Sequence, residues 1–233
     1  HRPAEGAIRN NVVMSICSDA QGRLWIGHFD GINIMDKKTH RISDFKPGNG
    51  PRFKKTCNAL FEDSKKRMWI GTPDGLFLYH KETNSLTPFR HNASDTASLS
   101  SNHVLTITED KEGNLWVGTN SGLNLLTANG KGFTRFRHIE GDPQTLNSNY
   151  IYSLAVDDFN KLWIGTSKGL NILDTKTKTT TGYNFDPRNT NGLSSNSIHS
   201  VYLAKEGICW LGTFLGGICK YDKNLTLFNL IQS

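Results

Sequence analysis

A chain of 233 residues with 27 Lys and Arg against 21 Asp and Glu carries a formal charge of +6. Hydrophobic residues at 36 %, aromatics at 10 %, 22 glycines and only 21 % charge exclude a disordered chain and describe a folded, turn-rich one. No stretch approaches the roughly 18 consecutive apolar residues of a membrane-crossing helix.

The chain opens on His1-Arg2-Pro3, without an initiator Met. No basic segment followed by an apolar core is visible, so no signal peptide is read, and the sequence is expected to be a piece of something longer. The four cysteines, Cys17, Cys57, Cys209 and Cys219, form no CxxC pair, which excludes a zinc knuckle or thioredoxin-type motif. Each lies in an apolar, strand-like context and is expected to be a buried structural thiol.

Tryptophans fall at Trp25, Trp69, Trp116, Trp163 and Trp210, spaced 44, 47, 47 and 47 residues apart. Each sits in one motif: Leu24-Trp25-Ile26-Gly27, Met68-Trp69-Ile70-Gly71-Thr72, Leu115-Trp116-Val117-Gly118-Thr119, Leu162-Trp163-Ile164-Gly165-Thr166 and Cys209-Trp210-Leu211-Gly212-Thr213. In chain order each unit predicts four strands. The first follows an Asn, as in Asn102 to Ile107, and a polar turn such as Asp110 to Asn114 comes next. The Trp motif is the second strand. A turn whose Gly supplies positive φ leads to the third, as in Gly169 to Leu173, and the fourth carries an aromatic, as in Phe133 to Phe136. No unit keeps a 3.6-residue apolar period, so helix is excluded throughout.

Four antiparallel strands per 44 to 47 residues is the period of a β-propeller blade. The expected class is all-β, with five blades at residues 1–54, 55–101, 102–148, 149–195 and 196–233. The units start near Asn10-Asn11 and end near Phe228, in phase with the chain, which leaves no strand to complete a shared blade.

The string Leu-Trp-Ile-Gly-Thr-x-x-Gly-Leu-Asn resembles the two-component regulator propeller repeat, as does Ser-Leu-Ser-Ser-Asn before a first strand. Leu162 to Asn171, Leu115 to Asn124, Leu99 to Asn102 and Leu193 to Asn196 carry the likeness. The resemblance implies the extracytoplasmic, periplasmic sensor of a hybrid two-component system. Such sensors hold two seven-bladed propellers, then an immunoglobulin-like module, a membrane helix, a histidine kinase and a DNA-binding output. It implies detection of glycan-derived oligosaccharides. Five blades here imply a fragment of a seven-bladed ring, with a closed five-bladed ring as the alternative. A wedge would expose two apolar blade faces and invite a homodimer.

Comparing the repeats with one another separates scaffold from site. Positions shared by the blades serve the blade: the Trp, the Gly after it, the turn Gly, the acidic Asp19, Asp63, Asp110 and Asp157, and the recurring Asn11, Asn102, Asn149 and Asn196. Those Asp residues are expected to bond turn N–H groups rather than metals. Strand one lines the channel of a propeller. Two of its positions are uniform, one apolar (Val13, Cys57, Val104, Ile151, Ile198) and one small (Ser15, Ala59, Thr106, Ser153, Ser200). The two between vary: Val12, Thr56, His103, Tyr150 and Ser197, then Met14, Asn58, Leu105, Tyr152 and His199. Period-two alternation places the variable pair on one face. The candidate ligand-binding residues are Asn58, His103, Tyr150, Tyr152 and His199, with flat rings for sugar faces and polar edges for hydroxyls. Phe29 and Phe214-Leu215 break the symmetry of the turn between second and third strands and are candidate contact loops.

The positive charge lies in scattered turn groups such as Lys37-Lys38, Arg52 to Lys55 and Lys65 to Arg67, and nucleic acid is not an expected partner. The variable positions offer no Asp or Glu, and there is no GxSxG, HExxH or P-loop, so neither catalysis nor a metal or cofactor is expected. The alternatives are a protein–protein interaction scaffold and, behind it, a propeller lyase or hydrolase.

Overall fold

The structure is a computed structural model that describes residues 6–189, 191–205, 207–222 and 227–231. The outermost residues of the first and fifth repeats lie outside that set. The described residues form twenty strands and no helix.

The first sheet holds β1 (Val13–Ser18), β2 (Arg23–His28), β3 (Gly31–Asp36) and β4 (Ile42–Asp44). The second holds β5 (Ala59–Glu62), β6 (Met68–Thr72), β7 (Gly75–His80) and β8 (Ser85–Phe89). The third holds β9 (Val104–Glu109), β10 (Leu115–Thr119), β11 (Gly122–Leu126) and β12 (Phe133–Phe136). The fourth holds β13 (Ile151–Val156), β14 (Lys161–Thr166), β15 (Gly169–Asp174) and β16 (Thr180–Tyr183). The fifth holds β17 (Ile198–Leu203), β18 (Ile208–Thr213), β19 (Ile218–Asp222) and β20 (Leu227–Ile231). In every sheet the strands neighbour one another in chain order, the meander of a propeller blade. The fold class is an all-β propeller of five four-stranded blades. The chain forms two compact units, His1–Ile107 and Thr108–Ser233, divided inside β9.

The Trp motif and the acidic position make one device. Trp25, Trp69, Trp116 and Trp163 donate their indole N–H to Asp19, Asp63, Asp110 and Asp157 at 2.8, 2.9, 2.9 and 3.0 Å. The other carboxylate oxygen accepts turn N–H groups, as Asp110 does from Glu112 and Asn114, both at 3.0 Å. One carboxylate therefore ties the turn to the core ring. Burial by itself would raise the Asp19 carboxyl, but the Trp25 indole and the Arg23 amide and guanidinium outweigh it and hold it below the usual range. The recurring Asn residues latch the incoming loop: Asn102, Asn149 and Asn196 accept the N–H of His91, His138 and Phe185 at 2.7, 2.8 and 2.7 Å.

Adjacent blades close on the uniform positions of strand one. Cys57 of β5's approach segment reaches the bare backbone of Gly27, and Val104 reaches that of Gly71. A Cβ on either glycine would stand 2.7 or 2.6 Å from them. Cys57 and Val104 are fully buried, whereas Val13, at the same position of the first blade, is 39 % exposed. In the second unit Leu123 and Leu170 are fully buried, and their counterpart Ile218 is 50 % exposed. Three of the four cysteines, Cys57, Cys209 and Cys219, are buried free thiols, and Cys17 is half-buried. Burial pushes the Cys209 thiol up to about 12, and Cys17 and Cys57 upward as well.

One core position departs from the repeat. Thr72, Thr119 and Thr166 end the second strand and bond the turn glycine's carbonyl at 2.9, 3.0 and 2.8 Å. The first blade has His28 there, fully buried. Its Nδ1 accepts the Asp30 N–H at 3.1 Å, so Nε2 carries the proton and faces Asn33 Oδ1 at 3.1 Å. Burial first of all holds its pKa below the ordinary histidine value. The unfolded chain takes up a proton as pH falls through about 6.5, while folded His28 resists. Stability from this group is therefore complete above neutrality and is lost as the medium is acidified, at up to about 1.4 kcal/mol per pH unit. His28→Thr, the residue of the other blades, should flatten the loss of urea midpoint between neutral and mildly acidic pH; an unchanged slope would refute the assignment.

Candidate functional site

The first strand of three blades is bulged. Register shifts fall between Val13 and Ser15, between Ile151 and Ser153, and between Ile198 and Ser200. The small residue after each bulge pairs with the motif glycine: Ser15 with Gly27, Ser153 with Gly165, Ser200 with Gly212. The extra residue is Met14, Tyr152 or His199. A bulge leaves its extra residue unpaired and re-aims the side chain. The variable positions thus leave the ladder at the points where the blades differ most.

In the second unit this builds a row of rings. Tyr150 and Tyr152 lie 4.8 Å apart between centroids and are tilted by 47°. Tyr152 stacks on His199 at 4.0 Å and 22°, and His199 on Phe214 at 5.5 Å and 21°. The row joins β13 to β17 and to the loop after β18. His199 is exposed and its Nε2 meets the Ser197 hydroxyl at 3.1 Å. The backbone beneath is fixed: Ser148 Oγ holds the Tyr150 N–H at 3.1 Å, and Ser197 O accepts the Phe214 N–H at 2.9 Å.

The loop after β18 explains Phe214 and Leu215. In the second, third and fourth blades the turn glycine follows the Thr by three positions. In the fifth, Thr213 bonds Gly217, four positions on, at 2.9 Å. The extra residue puts Leu215 at φ +58° and leaves its side chain 91 % exposed beside the half-exposed Phe214.

Of the sequence candidates, the structure brings Tyr150, Tyr152 and His199 together and adds Phe214. Asn58 belongs to the first unit, where its amide donates to the Val104 carbonyl at 2.9 Å and stitches one blade to the next. His103 is half-buried, with its own N–H on Ser101 Oγ at 3.1 Å. Phe29 is exposed, and its carbonyl accepts the Thr56 hydroxyl at 2.9 Å. Sequence reasoning did not anticipate a pocket of about 750 Å³ among the loops of the third and fourth blades, lined by His138, Asn147, Lys168, Asn184 and Phe185. Its residues come from inter-blade loops and no repeat position marks them. Among the described residues, no group of three or more His, Cys, Asp or Glu is placed to hold a metal.

The family described as "Two component regulator propeller" matches residues 7–30, 98–121, 145–168 and 192–214. These are two-component regulator propeller repeats. Each match spans the approach to strand one, strand one and the Trp motif, and the matches at 145–168 and 192–214 hold the ring row. The unmatched second blade has Lys54-Lys55 where the third, fourth and fifth have Ser-Asn.

Solved structures with this fold include the extracellular domain of the hybrid two component system BT4673 from B. thetaiotaomicron. It shares 21 % identity with a TM-score of 0.74, over 94 % of this chain and 28 % of that one. The extracellular domain of BT3049 from the same organism shares 24 %, with a TM-score of 0.57, over 99 % of this chain and 36 % of that one. The virginiamycin B lyase of Staphylococcus aureus shares 15 %, with a TM-score of 0.62, over 91 % of this chain and 70 % of that one. The regulator-repeat chain thus spans about a third of the length of the sensor ectodomains it resembles. No protein of curated function matches its sequence.

Proposed function

We propose that this chain is a propeller segment of the extracytoplasmic, periplasmic sensor of a hybrid two-component regulator, and that the row Tyr150–Tyr152–His199–Phe214 receives a sugar face of a glycan-derived oligosaccharide. The observation that carries the reading is the row itself. Four rings in sequence stand on two blades, the middle two at bulges, over a scaffold that the repeat holds constant. Pyranose rings present C–H faces to such surfaces and hydroxyls to their rims, where the Tyr hydroxyls can bond them. The family supports the regulatory setting, and the solved ectodomains support the extracytoplasmic one.

Blade positions that are buried elsewhere in their own unit but open at Val13 and Ile218 support further blades, as in the seven-bladed rings implied for the family. Sequence beyond this segment would then supply the rest of the ring, a second propeller, the immunoglobulin-like module and the kinase. A ligand shifts signalling only by its different affinity for the two states of that assembly.

We read the segment as non-catalytic, because the row holds one imidazole and no carboxylate. The test is calorimetry of the complete ectodomain against an oligosaccharide panel. The wild type should bind one member, and Tyr152→Ala should weaken it about ten-fold through lost stacking. A labelled ligand should be recovered intact. Binding unaffected by Tyr152→Ala and His199→Ala would sink the site, and turnover would sink the non-catalytic reading. The exposed Phe214-Leu215 favours a second reading, a protein-contact scaffold, which Leu215→Asp would disrupt without touching sugar binding.

A further inference from the structure

The seam between the fourth and fifth blades is built differently from the seam between the first and second, and the difference is a cavity. In the first unit Phe45 packs against both Trp25 and Tyr79, with ring centroids 5.0 and 4.9 Å away, as the third ring of a cluster in which those two also meet. Charged groups complete that seam. Glu62 accepts the Ala20 N–H at 2.7 Å and pairs with Lys81 at 2.7 Å, and Arg67 pairs with Asp63. Counting back from the Trp, the fifth blade has Leu203, Ala204 and Ile208 where the second has Glu62, Asp63 and Arg67. The register puts Tyr183 opposite Leu170, in the place of Phe45, yet Tyr183 is 40 % exposed. Trp163 still meets Tyr221, at 5.7 Å, as Trp25 meets Tyr79. Among the described residues, Tyr183 forms no ring contact with either, where Phe45 contacts both of their counterparts.

The space left is about 700 Å³, within the range of small-molecule sites, and its walls include Trp163, Ile172, Tyr183, Leu203 and Tyr221. The acids at its rim are already engaged. Asp157 holds the N–H groups of Phe159 and Lys161 and the Trp163 indole; Asp174 holds those of Lys176 and Thr177; Asp158 pairs with Lys111. Lys161 and Lys205 also line it, both exposed, and neither forms an ion pair among the described residues. Lys161, which lies opposite Asp174 across the strands, and Lys205 bring positive charge to a rim that also carries those carboxylates, and the floor is apolar and aromatic.

We propose that this cavity is a second ligand site, separate from the ring row, which takes a small molecule with a flat apolar ring and an anionic group. The ring occupies the place of a third ring against Trp163 and Tyr221, and the anion meets Lys161 and Lys205.

The probe is 2-naphthoate, titrated into the chain by calorimetry and by quenching of tryptophan fluorescence. Saturable one-to-one binding is expected. The doubly substituted Lys161→Ala, Lys205→Ala chain should bind about ten-fold more weakly, as for loss of a charge-assisted contact. Leu203→Glu, which installs the residue of the second blade, should abolish binding. Tyr152→Ala should leave it unchanged, which keeps this site distinct from the ring row. No saturable binding at millimolar probe overturns the proposal, as does affinity unchanged in the lysine variant. Those lysines are exposed, so that variant decides the matter even where Leu203→Glu lowers the melting temperature.

Discussion

Asp110→Ala should lower the melting temperature by about 6–12 °C, the shift expected for a loss of about 3 kcal/mol in a chain of this size. The residue is almost wholly buried, and its carboxylate is the only acceptor shown for the Trp116 indole. The same carboxylate closes the turn on Glu112 and Asn114. Alanine strands a buried indole donor and frees the turn at once, and a stranded donor costs its full desolvation. Asp110→Asn keeps the turn acceptor but turns an amide donor toward the indole, and should cost less. The fifth blade supplies the converse. Ala204 stands where the other four have Asp, with the same turn bonds, from Ala204 N to Ile208 O at 2.8 Å and from Gly207 N to Ala204 O at 3.0 Å. Ala204→Asp should therefore stabilise by about 1 kcal/mol. Thermal unfolding of the three variants checks the set, and an Asp110→Ala chain as stable as the parent would show that the indole bond contributes nothing.

The fold was legible because it is written five times. A spacing of 47 residues between tryptophans, with a glycine two positions on, has few architectural solutions, and the twenty strands group four to each Trp motif. Comparing the blades also gave the right role to the Asp and Asn residues, since a group present in nearly every blade answers a need of the blade. What repetition could not show was that the acidic group serves the indole as well as the turn.

The candidate site was legible only in part, for a related reason. Variation between blades marked Tyr150, Tyr152 and His199, but simple alternation treated β13 and β17 as regular ladders. Bulges are invisible to a period-two pattern, and it is they that carry Tyr152 and His199 out of the ladder. Variation alone also promoted Asn58, whose difference from its counterparts answers a local need, a bond to the Val104 carbonyl. The cavity at the last seam lay beyond the reading altogether. It arises from what Tyr183, Leu203, Ala204 and Ile208 fail to fill, and a missing ring contact has no signature in a strand pattern.

Gly165→Ala is expected to be strongly destabilising. A Cβ there would stand 2.4 Å from Ser153 Oγ, 2.6 Å from the Ile198 carbonyl oxygen and 3.1 Å from Ile198 Cγ2. Backbone oxygen on a paired strand cannot yield as a side-chain tip can, so β14 must part from β13 or from β17, at about 3 kcal/mol. Gly130→Ala is the control. Its φ of +70° is strained for alanine, yet nothing lies within 4 Å, and the cost should be about 1 kcal/mol. The consequence reaches the ring row. Ser153 follows Tyr152, Ile198 precedes His199, and Gly165 is paired with Ser153 directly after the bulge. The methyl would therefore press on both bulges that aim the stacked pair. In chains that remain folded, ligand binding at the row should fall more than Gly130→Ala makes it fall, and Ser153→Gly should recover only part, since the Ile198 carbonyl stays in place. If Gly165→Ala melts like the parent and binds like it, the motif glycine is not what seats the rings.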